Sequence, residues 1–128
     1  MLNVVCAIIY VGNKILITQR SKNMKLPLKW EFPGGKLENN ESEIECIKRE
    51  IKEELNIEIK VIKKLSNSIH NYNTFRINLI PFIVEYISGE IVLAEHAEYK
   101  LLEKNNLNNL DWAEADLPIV RELLNTEI

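Results

Sequence analysis

Residues 42–56 constrain the fold of this chain more than any other stretch. Ser42 suits a helix N-cap, and Glu45 three residues later completes a capping box. Ile44, Ile47, Ile51 and Leu55 recur at helical spacing and predict a stripe turned toward a core, with Lys48 and Lys52 on the outer side. Asn56 follows the last turn, where a left-handed residue commonly ends a helix. Glu50, Glu53 and Glu54 then share one face, a turn apart, beside the apolar stripe rather than opposite it. Like charges at that spacing repel. They mark either a solvated face or a place for a cation. Gly34-Gly35, just upstream, gives the backbone freedom to turn sharply and expose a carbonyl.

The rest of the chain reads mostly as strands. Residues 4–11 are rich in Val and Ile, Gly12-Asn13 is a turn, and residues 14–19 complete a hairpin. Residues 21–28 form a polar loop. Trp30-Glu31-Phe32 is a short strand stopped by Pro33-Gly34-Gly35. Two long runs, 57–69 and 75–87, are joined by the polar residues 70–73, and Ser88-Gly89-Glu90 turns into Ile91-Val92-Leu93. Residues 94–98 read as a loop, 99–102 as a short strand, and 117–124, with Pro118 in its first turn, as a closing helix. The expectation is one domain over residues 1–128, an α/β (α+β) fold with a mixed sheet between helices that cover its faces.

Composition removes several functions. Of the 128 residues, 46% are hydrophobic and 27% charged, as in an ordinary globular protein. The formal net charge is −3 without a basic block, so binding to a nucleic-acid polymer is not expected. No apolar run reaches membrane-spanning length, and the first residues lack the pattern of a signal peptide. Cys6 and Cys46 lie in apolar patterns, which fits a reduced cytoplasmic setting. Packing is the expected role of Cys46, and His70 and His96 lack metal-ligand spacing, with His96 expected on the surface.

Carboxylate and carbonyl oxygens are the ligands of hard cations, and Mg²⁺ fills the rest of its shell with water and substrate phosphates. The cluster therefore points to a Mg²⁺ site for a phosphate-bearing substrate, with a spare glutamate to orient or deprotonate a water. At these residues the chain resembles a known family. Gly35, five residues, Glu41, seven residues, and then Arg49-Glu50-Ile51-Lys52-Glu53-Glu54-Leu55-Asn56-Ile57 is similar to the Nudix box, here residues 35–57. The final glycine of that box is Asn56 in this chain, a mild departure because Asn also tolerates the left-handed cap. Ile17-Thr18-Gln19-Arg20, the 30–36 run and Ala113-Glu114-Ala115-Asp116-Leu117-Pro118 resemble the MutT and CTP pyrophosphohydrolase branch.

The resemblance implies an α/β/α Nudix fold and Mg²⁺-dependent hydrolysis of a nucleoside triphosphate to the monophosphate and pyrophosphate, with Mn²⁺ as a possible substitute. It implies metal ligation by Glu50, Glu53, Glu54 and the Gly34 carbonyl, with Arg49 orienting the glutamates and Glu41 supporting the start of the helix. A late-loop glutamate often joins such sites; Glu95 is the choice and Glu98 the reserve. Arg20 matches a phosphate-contacting position, and Gly35 and Lys36 are further substrate-binding candidates. Asp116 reads both as an N-cap and as a carboxylate that accepts from the amino group of a cytosine-type base. Among Phe32, Phe75 and Tyr72, Phe32 is the better candidate to stack on a base, because it adjoins the glycine loop. The substrate expected is CTP or a modified dCTP. Alternatives are 8-oxo-dGTP, another nucleoside diphosphate derivative such as ADP-ribose, or nucleotide binding without catalysis. Relatives of this kind include monomers and homodimers.

Overall fold

The computed structural model describes residues 1–126, and eight strands within them form one mixed sheet. β1 (Leu2–Val11) turns through Gly12, at φ +64°, into β2 (Lys14–Gln19). β3 (Trp30–Glu31) and β4 (Gly34–Lys36) follow, then α1 (Glu43–Leu55), β5 (Glu58–Lys64), β6 (Ser68–Tyr72), β7 (Phe75–Ser88), β8 (Glu98–Leu102) and α2 (Leu117–Leu124). β1 and β7 run parallel at the centre, in register from Leu2 opposite Ile77 to Tyr10 opposite Glu85. Each central strand has two partners on its outer edge. The C-terminal half of β1 pairs with β2 and its N-terminal half with β4; β7 divides in the same way between β5 and β6.

Strand alternation builds two cores. Val5, Ala7 and Ile9 of β1 and Ile80, Phe82 and Val84 of β7 meet Cys46, Ile47, Ile51 and Leu55 of α1. Cys6, Ile8, Leu79 and Ile83 point the other way, onto Leu107, Trp112, Ile119, Val120 and Leu123. Ile47, Ile51 and Leu55 are fully buried, and each contributes about 1.5–3 kcal/mol of hydrophobic stabilisation. The expected α/β/α sandwich is therefore observed.

Local departures have local causes. Residues 57–69 do not form one strand. Pro81 has no N–H to offer an outer partner, so Leu65–Asn67 leave the ladder, with the Leu65 N–H on the Pro81 carbonyl at 3.0 Å. Residues 70–72, read as a polar link, extend β6, and Tyr72 pairs with Phe75 across a two-residue turn. Ile44 is 45% exposed, so the buried stripe of α1 runs through Cys46 instead. Gly34–Lys36 was read as a stop and is a strand. Residues 91–93 fold back along the end of α1, where the Val92 N–H reaches the Leu55 carbonyl at 3.0 Å. Glu98 opens β8 rather than closing a loop. A 3₁₀ segment at Lys104–Asn109, unforeseen in the sequence, delivers Leu107 to the second core.

Candidate active site

α1 starts as its sequence requires. Ser42 Oγ accepts the Glu45 N–H at 3.1 Å while Glu45 Oε1 accepts the Ser42 N–H at 3.0 Å. The helix then carries Glu50, Glu53 and Glu54 past β4. A Cβ on Gly35 would lie 2.1 Å from Glu50 Oε2, and one on Gly34 would lie 1.9 Å from the Val5 carbonyl oxygen. Glycine is needed at both positions because β4 is wedged between β1 and a glutamate.

Arg49 gathers the carboxylates behind that wedge. Its Nε and Nη2 donate to Glu41 at 2.6 and 3.0 Å, and its Nη1 to Glu50 at 2.8 Å and Glu53 at 3.2 Å. Charge-assisted, two-pronged pairing of this kind fixes geometry as well as adding energy. Arg49 holds the Glu41 carboxyl down at about pKa 2. Glu50 moves the other way, because burial outweighs its contact with Arg49.

Glu54 lies beyond that guanidinium. Its Oε1 is buried with no hydrogen-bond partner among the described residues, and its Oε2 lies 3.4 Å from Nδ1 of His96. Burial, followed by the charges of Glu31, Glu50 and Glu95, pushes its pKa up to about 9. The His96 side chain is fully buried, against the expectation of a surface residue. Its Nε2 lies 2.9 Å from Glu31 Oε2, and Glu31 Oε1 accepts from Arg20 Nη1 at 2.8 Å. Arg20 also donates through Nε to the Lys25 carbonyl. Glu31 and His96 were missed as site residues. Alternation offered a signal for Glu31: Trp30 and Phe32 are core residues, so the side chain between them must face the other way.

One cleft of about 700 Å³ collects the expected residues. Arg20, Phe32, Gly34, Gly35, Lys36, Glu50, Glu53, Glu54, Glu95 and Asp116 all line it, joined by Glu31. Arg49 and Glu41 stand behind its wall, and Glu98 is on β8, outside the lining. Leu2, Val4, Tyr72, Phe75 and Ile77 also line the cleft. The Tyr72 and Phe75 rings stack at 4.9 Å, and Lys25 Nζ lies 4.7 Å from the Phe75 centroid. Phe32 is 2% exposed and packs on Trp112 with ring centroids 4.7 Å apart, which commits most of its ring to the core.

Asp116 is buried, and the capping expectation fails. Its backbone is already helical at φ −82°, ψ −20°, and its carboxylate makes no capping bond to α2. Instead Oδ2 accepts the Phe32 N–H at 2.9 Å. Burial, with the nearby Glu31 charge, raises its pKa well above that of an ordinary aspartate. The segment before it is held by β6: Ser68 Oγ donates to the Ala115 carbonyl at 2.7 Å, and the Ala115 N–H donates to Tyr72 Oη at 2.9 Å.

Asn56, where the box pattern has glycine, adopts the left-handed conformation at φ 62°. Its Nδ2 donates to the Glu90 carbonyl at 3.1 Å, tying down the loop that carries Glu95 and His96. The Ala94 N–H adds a bond to the Glu54 carbonyl at 3.1 Å.

The donor set suits a hard cation. Glu50, Glu53, Glu54 and Glu95 bring carboxylate oxygens to one end of the cleft, and the orphaned Glu54 Oε1 has an unmet need for a proton or a metal. Among the described residues no three His, Cys, Asp or Glu side chains are already closed around one point. Mg²⁺ does not require that, since water and phosphate oxygens fill much of its octahedron.

Residues 1–123 match the NUDIX domain family. The chain is 31% identical to a CTP pyrophosphohydrolase of Escherichia coli (strain K12) over 124 residues, covering 97% of this chain and 92% of the relative. It is also 31% identical to an 8-oxo-dGTP diphosphatase of Buchnera aphidicola subsp. Schizaphis graminum, over 94% of this chain and 92% of that one. The solution structure of a MutT protein, described as a Nudix-family hydrolase, from methicillin-resistant Staphylococcus aureus 252 superimposes with a TM-score of 0.78 at 41% identity. That match covers 97% of this chain and 95% of the other.

Proposed function

The chain belongs to the Nudix family of hydrolases, which act on pyrophosphate bonds of nucleotides and generally need divalent metal ions, and on that premise we propose a Mg²⁺-dependent nucleoside triphosphate pyrophosphohydrolase that favours cytosine nucleotides. The observation that carries this reading is the placement of buried Asp116 in the same cleft as the three glutamates. One end is acidic enough to hold a cation and its phosphates. The other offers one carboxyl and aromatic surface to a base.

In this reading Glu50, Glu54 and Glu95, with the Gly34 carbonyl, hold Mg²⁺, and Arg49 fixes Glu50 and Glu53 from behind. Bound Mg²⁺ offsets the negative charge that develops on the phosphoryl oxygens. Glu53, at 58% exposed the most open of the three, takes the proton of the attacking water. The water oxygen bonds to phosphorus, the α–β anhydride bond breaks, and nucleoside monophosphate and pyrophosphate leave. Arg20 stands by the phosphates, its guanidinium held by Glu31. Asp116 has one oxygen occupied by the Phe32 N–H, so the other is the one offered to the base. A cytosine amino group donates to such an oxygen. Cys6 and Cys46 are buried free thiols, consistent with the reducing cytoplasm this reading assigns.

A second reading, hydrolysis of 8-oxo-dGTP, has the support of relatives carrying that name at about the same identity. Pyrophosphate release from CTP, 5-methyl-dCTP and 8-oxo-dGTP, beside AMP release from ADP-ribose, separates the readings. Cytosine nucleotides are expected to give the highest kcat/KM. A higher value for 8-oxo-dGTP would replace the first reading with the second, and equal turnover of ADP-ribose would remove both.

A further inference from the structure

We infer that His96 is a positioning residue for Glu54, oriented in turn by Glu31. The inference rests on the reading of Glu54 as a metal-binding carboxylate. Four side chains from separate parts of the sequence form one line through the wall of the cleft. Arg20 Nη1 is 2.8 Å from Glu31 Oε1, Glu31 Oε2 is 2.9 Å from His96 Nε2, and His96 Nδ1 is 3.4 Å from Glu54 Oε2.

The imidazole cannot drift. It is fully buried, and the backbone on both sides of it is pinned: the Ala94 N–H by the Glu54 carbonyl at 3.1 Å and the Ala97 N–H by the Gln19 carbonyl at 2.9 Å. A histidine serving as plain core filling would sit among apolar side chains or have its nitrogens satisfied. Here Nε2 is bonded, Nδ1 meets Glu54 Oε2 at 3.4 Å as an ion-pair contact without a hydrogen bond, and Glu54 Oε1 is buried with no hydrogen-bond partner among the described residues. Two adjacent buried polar atoms without hydrogen bonds are a costly arrangement to build into a core. The cost is understandable if the ring fixes Glu54 Oε2 and leaves Oε1 turned to the site. Partners that orient a ligating carboxylate in this way typically change metal affinity or activity by about 10–100-fold when removed.

The test measures Mn²⁺ binding directly, from the free-ion electron paramagnetic resonance signal, beside steady-state kinetics in Mg²⁺. His96→Ala should weaken Mn²⁺ binding by about tenfold or more and lower kcat, with little change in nucleotide KM. His96→Asn, which keeps a polar nitrogen near the Nδ1 position, should recover most of both losses. Glu31→Ala, which leaves the ring in place but unheld, should shift Mn²⁺ binding in the same direction by less. Folded His96→Ala with the Mn²⁺ affinity of the parent would overturn the assignment, as would His96→Asn being as impaired as His96→Ala. If His96→Ala does not fold, unaltered Mn²⁺ affinity in Glu31→Ala overturns it instead. A parent protein that binds no Mn²⁺ would remove the metal reading itself, whereas a binding parent with unaltered variants removes the role of His96 alone.

Discussion

The two ends of the cleft are built in opposite ways. The acidic end hangs on one helix: Glu50, Glu53 and Glu54 are neighbours on α1, and Arg49 beside them holds two of the three. The Asp116 end is assembled from distant pieces, with Phe32 on its carboxylate, Ser68 and Tyr72 on the preceding residue, and Trp112 behind Phe32. The first end concentrates like charge, and burial with the neighbouring carboxylates makes ionisation of Glu54 a source of strain. The second is held by hydrogen bonds from the Phe32 N–H to Asp116 and between Ala115 and the hydroxyls of Ser68 and Tyr72. On the proposed function, such a division would let base preference vary without disturbing the bond that is broken.

The largest expected effect separates stability from activity at the acidic end. Glu54→Gln should lower kcat by about 10²- to 10³-fold, the scale of losing one preorganised electrostatic group. The same substitution should stabilise the metal-free protein. The Glu54 pKa is raised in the folded state to about 9, so between the unfolded value of 4.5 and about 9 the folded protein binds the extra proton. Its contribution is therefore complete below the unfolded value and is lost as pH rises toward 9. In EDTA, the melting temperature of the parent should fall across that range more steeply than that of Glu54→Gln, and added Mg²⁺ should close the gap. Equal slopes in EDTA would contradict the strain assigned to this end.

Gly35→Ala comes next. The new Cβ would lie 2.1 Å from Glu50 Oε2, so the carboxylate must move and loosen its 2.8 Å bond to Arg49. Displacement of a site group by about 1 Å can cost about 10²-fold in rate. The Mg²⁺ concentration for half-maximal rate should rise with it. A variant with parental metal dependence would show that Glu50 need not sit against β4.

How much of each end was legible follows from the same contrast. Capping, stripe and carboxylate spacing are all local to residues 42–56, so helix, acid face and the left-handed Asn56 could be read from one stretch. The central strands were legible too, because each is a long apolar run rich in Val and Ile. What escaped depends on partners far away in sequence. Asp116 looks like a helix cap until Phe32, 84 residues earlier, supplies a stronger claim on its carboxylate. His96 looks exposed until Glu31, 65 residues earlier, and Glu54 enclose it. Pro81 split the 57–69 run by leaving a gap in the edge of another strand. Local pattern carries no information about such pairings.

At the assembled end, Asp116→Asn should change which base is preferred while leaving the metal dependence alone. Asparagine still accepts the Phe32 N–H, so the fold is kept. One good contact to a base edge is worth about 1–3 kcal/mol of discrimination, or roughly tenfold to a hundredfold in relative kcat/KM between cytosine and guanine nucleotides. An unchanged ratio across the nucleotide panel would remove Asp116 from base reading. A changed Mg²⁺ requirement would show that the two ends are coupled.

The smallest effect concerns a long-range side-chain tether at the acidic end. Asn56→Gly restores the residue of the family pattern and removes the 3.1 Å bond from Nδ2 to the Glu90 carbonyl. Glycine adopts φ 62° more readily than asparagine, so the backbone gain offsets part of the lost bond, which at an exposed site is worth about 0.5–1.5 kcal/mol. The melting temperature should therefore hardly move. The loop should still loosen locally, because Asn56 is one of the few groups that hold it against α1. Hydrogen exchange at the Val92 and Ala94 amides, bonded to the Leu55 and Glu54 carbonyls, reads that loosening directly. Faster exchange there, with a modestly higher Mg²⁺ requirement, would make Asn56 the residue through which α1 places Glu95 and His96. Unchanged exchange would mean that those two backbone bonds suffice, and that the acidic end is as local in its construction as it is in its sequence.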